Sequence, residues 1–339
     1  MSADSNKQAI SAAMPGPDRM RRRLLLSSLA LGAAFAFGST KAFAAFPEKP
    51  VRIVVPLAAG GPTDVLARLI AEAMTPILGQ QVIVENRTGA SGQIAVDYVS
   101  RADADGYTIL MATLGTVILP QTNAGFDAAT LDKLQPISKI EGRAVYLTAA
   151  ASLPANNIAE LIAYAKANPG KVKYAAQGAS DILGIGQLNK LAGTDIPVVR
   201  YQGGAPALQA VVADQVQLTI ATPGAAAPFV TSGQLKIIAV TSPQRLPDLP
   251  DVPAIAEAVP GYEFISWTGL AAPAGTPKEA IDRIAAALKE ALAAPAMIDR
   301  LKQFGTTPSP DGPEAFTAFF QAEIKRWAEV AKAVGFTPQ

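Results

Sequence analysis

The sequence predicts an α/β protein built as two lobes, and three observations carry that expectation. Short apolar, β-branched runs alternate with stretches of helical periodicity along the chain. Glycine-rich turns stand where several of these runs give way to helices. Setting aside a leader-like N-terminus leaves 295 of the 339 residues, a length suited to two domains.

The leader runs through residue 44. Arg19-Met20-Arg21-Arg22-Arg23 is followed by an apolar run, Leu24 to Phe37, then by the small-residue triplet Ala42-Phe43-Ala44. That is the order of a cleavable secretory signal, with cleavage after Ala44. The apolar run is shorter than the roughly 20 residues a spanning helix needs. A signal anchor and a twin-arginine variant are the alternatives, and Met14 or Met20 are alternative starts.

Val51 to Val55 reads as a buried strand. Pro62 suits a first helical turn, and Val65, Leu66, Leu69, Ile70 and Ala73 recur at helical spacing. Val82 to Val84 is the next strand, Gly89 to Gly92 a second glycine turn before a helix through Val96 and Val99, and Tyr107 to Met111 a third strand. Asn157 and Glu160 form a capping box for a helix to Ala167, stopped by Asn168-Pro169-Gly170. Val172 to Ala175, Pro197 to Tyr201, Val216 to Ile220 and Leu235 to Val240 read as strands, with a helix bearing Leu208, Val211 and Val212 among them. The proline-rich stretch from Pro243 to Pro260 reads as a surface excursion with one short helix. Helices around Lys278–Ala293, Ala296–Phe304 and Pro313–Val334 close the chain.

Composition removes whole classes of function. With no histidine and no cysteine, a Ser-His-Asp triad, a cysteine nucleophile, histidine metal sites and disulfides are impossible. There is no Walker-type phosphate loop and no complete dinucleotide fingerprint. No catalytic residue, metal or cofactor is expected. Without the leader the chain holds 23 basic and 26 acidic residues, a net charge of −3 that gives no case for nucleic acid or an anionic membrane surface.

The most informative local feature is Ala59-Gly60-Gly61-Pro62-Thr63-Asp64, directly after the first strand. A helix start supplies unpaired N–H groups and a partial positive charge, and glycine permits close approach. Ala59, Gly60, Gly61, Thr63 and Asp64 are therefore candidate anion contacts, Thr63 with its hydroxyl as well, while the Asp64 carboxylate is expected to cap its own helix. The same turn can also be purely structural.

Six segments appear in the order seen in one family. They begin with FPEKPVRIVVPLAAGGPTDVLAR (46–68) and VIVENRTGASGQIAVDYVSRADADGYTILMAT (82–113). NPGKVKYAA (168–176), YQGGAPALQAVVADQVQL (201–218), TSPQRLPDLPDVPAIAE (241–257) and WTGLAAPAGTP (267–277) follow. Together they resemble the receptors of tripartite tricarboxylate transporters, the Bug family. The resemblance implies a periplasmic receptor with two α/β lobes, a hinge of two crossing strands and a ligand in the interlobe cleft; the expected fold is that of a type II-like periplasmic binding protein, and the expected state a monomer. It also implies delivery of a small carboxylate to integral membrane subunits. Lobe one would be residues 45–146 plus 268–339, and lobe two 147–267. The crossings would lie near Arg143–Ala149 and Glu263–Gly269.

Further cleft candidates follow. Ser91 supplies a hydroxyl from the second glycine turn, and Thr113 ends a strand. On lobe two, Gly203, Gly204 and Ala205 repeat the glycine-turn logic, and Tyr201 either stacks on a ligand or belongs to the core. Arg87 and Arg143 are the cationic options. Two departures from the family pattern concern lobe two. Where relatives carry small hydroxyl residues and glycines, this chain reads Ala176 to Leu183, with Gln177 and Ser180 the only neutral side-chain donors and with an acid, Asp181, that would repel a carboxylate if it faced the cleft. Where relatives often have an aspartate, it has Ala221-Thr222. The rival readings are a receptor of an ATP-driven importer and an exported α/β enzyme using carboxylate-pair or Ser-Lys chemistry.

Overall fold

The computed structural model describes residues 46–338 apart from residue 304, so the expected leader lies outside the described residues. No helix among the described residues is long and apolar enough to cross a membrane.

Strand β1, Val51–Val55, is buried except at Arg52. Helix α1, Pro62–Leu78, returns the chain to β2, Val82–Asn86, which pairs parallel with β1. Proline at the first helical position needs no N–H there, and Gly79 in the left-handed conformation ends the helix with its N–H on Thr75 O. Leu66, Ala67, Ile70, Met74 and Leu78 form the buried stripe of α1. Ile70 and Met74 are fully buried, and each contributes about 1.5–3 kcal/mol by leaving water. After a tight turn, α2 (Gln93–Ser100) leads to β3, Thr108–Thr113, parallel to β1 on its other side. Two single-turn helices follow, α3 (Leu114–Val117) and α4 (Leu119–Thr122).

The eleven-residue strand β4, Leu134–Ala144, runs through Val145 into β5, Tyr146–Ala150, and there the chain changes sheets. The second sheet gathers β6 (Tyr174–Ala176), β7 (Val198–Arg200), β8 (Leu218–Ala221) and β9 (Leu235–Val240). Its helices are α5 (Ile158–Ala167), α6 (Ala179–Ala192), α7 (Gly204–Val212) and α8 (Pro223–Thr231). Asn157 caps α5 by accepting the Glu160 N–H at 2.9 Å. The excursion after β9 holds one short helix, α9 (Ile255–Ala258). Strand β10, Ile265–Pro273, then re-enters the first sheet, and α10 (Lys278–Ala293), α11 (Pro295–Gln303) and α12 (Pro313–Val334) complete the chain.

The strand orders are β2-β1-β3-β10-β4 and β7-β6-β8-β5-β9. The two are built alike: a parallel trio, then the strand arriving from the other sheet inserted antiparallel, then an outer strand. The sheets are therefore mixed rather than wholly parallel. Where they meet, fully buried Thr241 ties three segments together. Its N–H donates to Val145 O and its carbonyl accepts from Phe264 N, each at 3.1 Å. Its hydroxyl accepts the Val145 N–H at 2.9 Å. Helix α12 packs against both β4 and α6. From α12, Phe316, Phe319 and Phe320 surround the buried Trp267 ring edge-on, and Glu323 takes the Trp267 indole N–H at 2.9 Å.

Candidate ligand cleft between the two sheets

Ligands of open α/β sheets sit beyond the carboxyl ends of the strands. Here the segments just past β1, β3, β6 and β8 face one another across a cavity of about 310 Å³, a size for a small organic molecule. One wall belongs to the first sheet and the other to the second, with Val145 and Phe264 at the junction.

The first wall is rich in unspent donors. Thr63, in the first turn of α1, lies on the lining. The N–H groups of Thr63 and Asp64 have no carbonyl to reach within the helix, and none elsewhere in the described backbone. Ser91 belongs to a turn in which Gly89, Ala90, Ser91 and Gly92 all have positive φ, at 122°, 46°, 57° and 97°. Ala90 and Ser91 hold this conformation at roughly 1–2 kcal/mol each, the kind of strain that collects at functional sites. Gly92 is required there, because a Cβ would stand 3.2 Å from Pro56 Cβ as well as at positive φ. Thr113 and Thr116 add hydroxyls; Thr116 Oγ1 accepts the Thr113 N–H at 3.1 Å and so fixes the turn after β3. Ser266 and Thr268 line the cavity from β10, Ser266 with a hydroxyl that has no partner among the described residues and Thr268 with its hydroxyl given to Glu141.

Arg143 brings a positive charge to this wall. Its Nε and Nη2 grip the fully buried Glu141 carboxylate at 3.1 and 3.0 Å. Glu141 also accepts the hydroxyls of Thr268 at 3.0 Å and Thr306 at 2.7 Å, so the buried acid is fully satisfied. The remaining guanidinium nitrogen, Nη1, has no partner among the described residues and belongs to a side chain on the cavity lining.

On the second wall Gln177, Ser180 and Asp181 come from the turn opening α6, and Ala221 and Thr222 from the end of β8. Gln177 spends its side-chain amide on Ile220 O, and its backbone N–H donates to Asp181 Oδ2 at 2.9 Å. Asp181 is 6% exposed. Burial pushes its pKa up to about 6, against the opposing pull of the Gln177 N–H and the Ser180 hydroxyl.

Comparison with known proteins turns this geometry into a family. Residues 66–336 match the model of the tripartite tricarboxylate transporter family receptor. The chain belongs to that family. Protein BugT of Bordetella pertussis is 32% identical over 301 residues, covering 86% of this chain and 90% of its own. Among solved structures, the R. palustris protein Rpa4515 with adipate is 35% identical with a TM-score of 0.75, over 87% of this chain and 100% of that one. The periplasmic binding protein BugD is 37% identical with a TM-score of 0.72, over the same shares. MatC from Rhodopseudomonas palustris, with bound malate, is 32% identical with a TM-score of 0.71, over 84% and 100%. The molecule is thus a bilobal solute-binding receptor, and it is not an enzyme.

The receptor's cavity brings together six of the residues singled out from sequence: Thr63, Ser91, Thr113, Arg143, Gln177 and Ser180. It leaves nine off the lining. Ala59 is exposed beside it. The Gly60 N–H is consumed by Asp64 Oδ2 at 2.8 Å, and the Gly61 N–H reaches back to Ala58 O at 3.3 Å. Asp64 itself is buried, accepting also from Asn86 Nδ2 at 2.9 Å and Arg68 Nε at 3.0 Å, with Arg68 foremost in holding its pKa down at about 2. The turn's expected anion cradle is therefore corrected: an internal carboxylate takes part of it, leaving the Thr63 and Asp64 N–H groups. Nor does Gly61 need glycine's freedom, since its φ is −75°; Gly60, at +80°, does.

On lobe two, Tyr201 lines a neighbouring cavity of about 360 Å³ that shares Ser91 with the first. Gly204 backs Gln177, where an added Cβ would come within 2.8 Å of Oε1. Gly203 is the N-cap of α7, and Ala205 is exposed in its first turn. Arg87 is also off the lining, with its Nε 2.6 Å from Glu85 and its guanidinium 3.5 Å from the Tyr98 ring centroid. Sequence reasoning passed over Thr116, Ser266 and Thr268, and noted Thr222 only as a departure from the family pattern. The available signal was hydroxyl residues at the ends of strands and two apart along β10, which share a face of the sheet.

Proposed function

We propose that this receptor captures a small carboxylate in its interlobe cleft outside the cytoplasm and hands it to the membrane subunits of a tripartite transporter. One observation carries the reading: the first wall presents unspent N–H and hydroxyl donors together with the Arg143 guanidinium. A carboxylate leaving water needs such replacement partners, or its burial costs several kcal/mol. Thr63, Ser91 and Thr113 are the first-lobe contacts in this proposal, with Arg143, and Ser180 reaches from lobe two, where Gln177 shapes the wall with its amide already given to Ile220 O. Adipate and malate in the related structures support an acid as the ligand class. Delivery to a tripartite system rests on the family itself. A cleavable leader ending at Ala44, monomeric export to the periplasm, and lobes of residues 45–146 plus 268–339 and 147–267 belong to the same proposal. The change of sheet at Val145 and the return at Ile265 support that division.

The test is a thermal-shift and calorimetry screen of mono- and dicarboxylates and amino acids on the mature protein. Ligand at 100 times its dissociation constant adds about 2.7 kcal/mol. Stoichiometric binding with the acid recovered unchanged is the expected result. Failure of every acid to raise the midpoint, while an uncharged solute does so, refutes the carboxylate reading.

A further inference from the structure

Among the described residues, Arg143 and Asp181 are the ionisable side chains on the cavity lining, one on each wall. Asp181 is the third residue of α6, a helix of 14 residues, and is 6% exposed. A helix start is where a bound anion is expected, because its N–H groups and dipole favour negative charge. In this chain a side chain already supplies that anion. Its partners are sparse: Oδ2 accepts the Gln177 N–H at 2.9 Å, while Oδ1 has only the Ser180 hydroxyl at 3.4 Å, beyond a good hydrogen bond. The titratable groups that sense its charge are the buried phenols of Tyr174 and Tyr262. Among the described residues no lysine or arginine pairs with it; Arg143 lies on the first wall, bound to Glu141. Carboxylates sealed from water are expected to be paired.

We propose that Asp181 receives a protonated amine of the ligand, so that the receptor selects acids carrying a positive charge at the end facing lobe two. This rests on the carboxylate reading above: the carboxylate lies against the first wall, and the ammonium meets the partly unsatisfied Oδ1 of Asp181. A second carboxylate at that position would face a like charge in the same enclosed space and would have to protonate or displace it.

Pairs of acids differing only in one end group test the idea: adipate against 5-aminopentanoate, glutarate against 4-aminobutanoate, and succinate against 3-aminopropanoate. Calorimetry at pH 7.5 should show at least one amino acid binding tenfold or more tightly than its paired diacid. Asp181→Asn keeps an oxygen for the Gln177 N–H and should erase or invert that preference. Wild-type protein provides an arm that needs no variant. Asp181 is ionised above about 6 and neutral below, so the preference should shrink by several fold between pH 7.5 and pH 5. An unchanged ratio in Asp181→Asn, or wild-type preference for the diacid, overturns the proposal while leaving the carboxylate reading intact. Binding of neither member of any pair, with an uncharged solute bound instead, overturns both.

Discussion

The buried Glu141–Arg143 pair offers the sharpest energetic test of how the first wall is built. Glu141 is fully buried and the Arg143 side chain is 10% exposed. Glu141→Gln removes the charge while keeping an acceptor for Thr268 and Thr306. What remains is a guanidinium with little water and no counter-ion. Breaking one side of such a pair costs about 3–5 kcal/mol. Because Arg143 borders the cavity, partial hydration places the expected loss near the lower bound, about 3 kcal/mol. At about 2 °C per kcal/mol for a chain of this size, the midpoint should fall by about 6 °C. Arg143→Met should cost at least as much, since Glu141 is the more deeply sealed partner. The double variant should cost well under the sum of the singles, with a coupling of about 2 kcal/mol. Urea unfolding can be followed by the fluorescence of Trp267 and Trp327, both buried. Additivity within about 0.5 kcal/mol, or a Glu141→Gln loss below about 1 kcal/mol, refutes the argument.

Three further outcomes are expected. The folded pKa of Asp181 is raised from 3.8 to about 6, so the folded state binds the extra proton and apo stability should decline as pH rises across that window, by up to about 3 kcal/mol; Asp181→Asn should flatten this slope in urea titrations from pH 4 to pH 7.5. Gly60→Ala should cost about 1–2 kcal/mol through its φ of +80°, with open space around the new methyl, whereas Gly61→Ala should cost under about 1 kcal/mol; equal losses in calorimetric unfolding contradict the backbone account. Arg87→Ala should change acid affinity less than about twofold, because its charge is engaged by Glu85 and Tyr98 off the cavity lining; loss of calorimetric binding in a folded variant would show that the lining is wrongly drawn.

What could be read from sequence divides along physical lines. Val51–Val55 and Leu235–Val240 match their strands, and Lys278–Ala293 and Pro313–Val334 their helices, because each is a periodic run closed by glycine, proline or a polar break. Strand β4 escaped recognition as one element. Pro136, Ser138, Lys139 and Glu141 interrupt its apolar pattern, and tertiary partners, such as Asp311 for Lys139 and the Thr268 and Thr306 hydroxyls for Glu141, make those residues tolerable there. Helix α6 was overlooked for a related reason. Gly184 and Gly186 lower its helical propensity, yet they let Phe264 and Val334 pack against it where a Cβ would crowd them. In the cleft, residue types were legible but their bonding was not. That Asp64 turns inward onto the Gly60 N–H is a matter of rotamer and of Asn86, 22 residues away. The opposition of Arg143 and Asp181 depends on how two separate sheets are set face to face.

The way Thr241 binds Val145 on one side and Phe264 on the other has a mechanical consequence. The outward and returning passages of the chain are not two independent threads but neighbouring plies of one narrow ribbon, stitched by backbone and hydroxyl bonds. A ribbon of this kind is stiff within its own plane and compliant across it. Sliding one sheet past the other would shear the stitches, whereas folding about the ribbon leaves them intact. The expected displacement is therefore a swing about this ribbon, like a book opening on its spine, and small-angle scattering with and without a bound acid is the measurement that checks it. Thr241→Val, which deletes one stitch and keeps the shape, loosens the spine without touching either page.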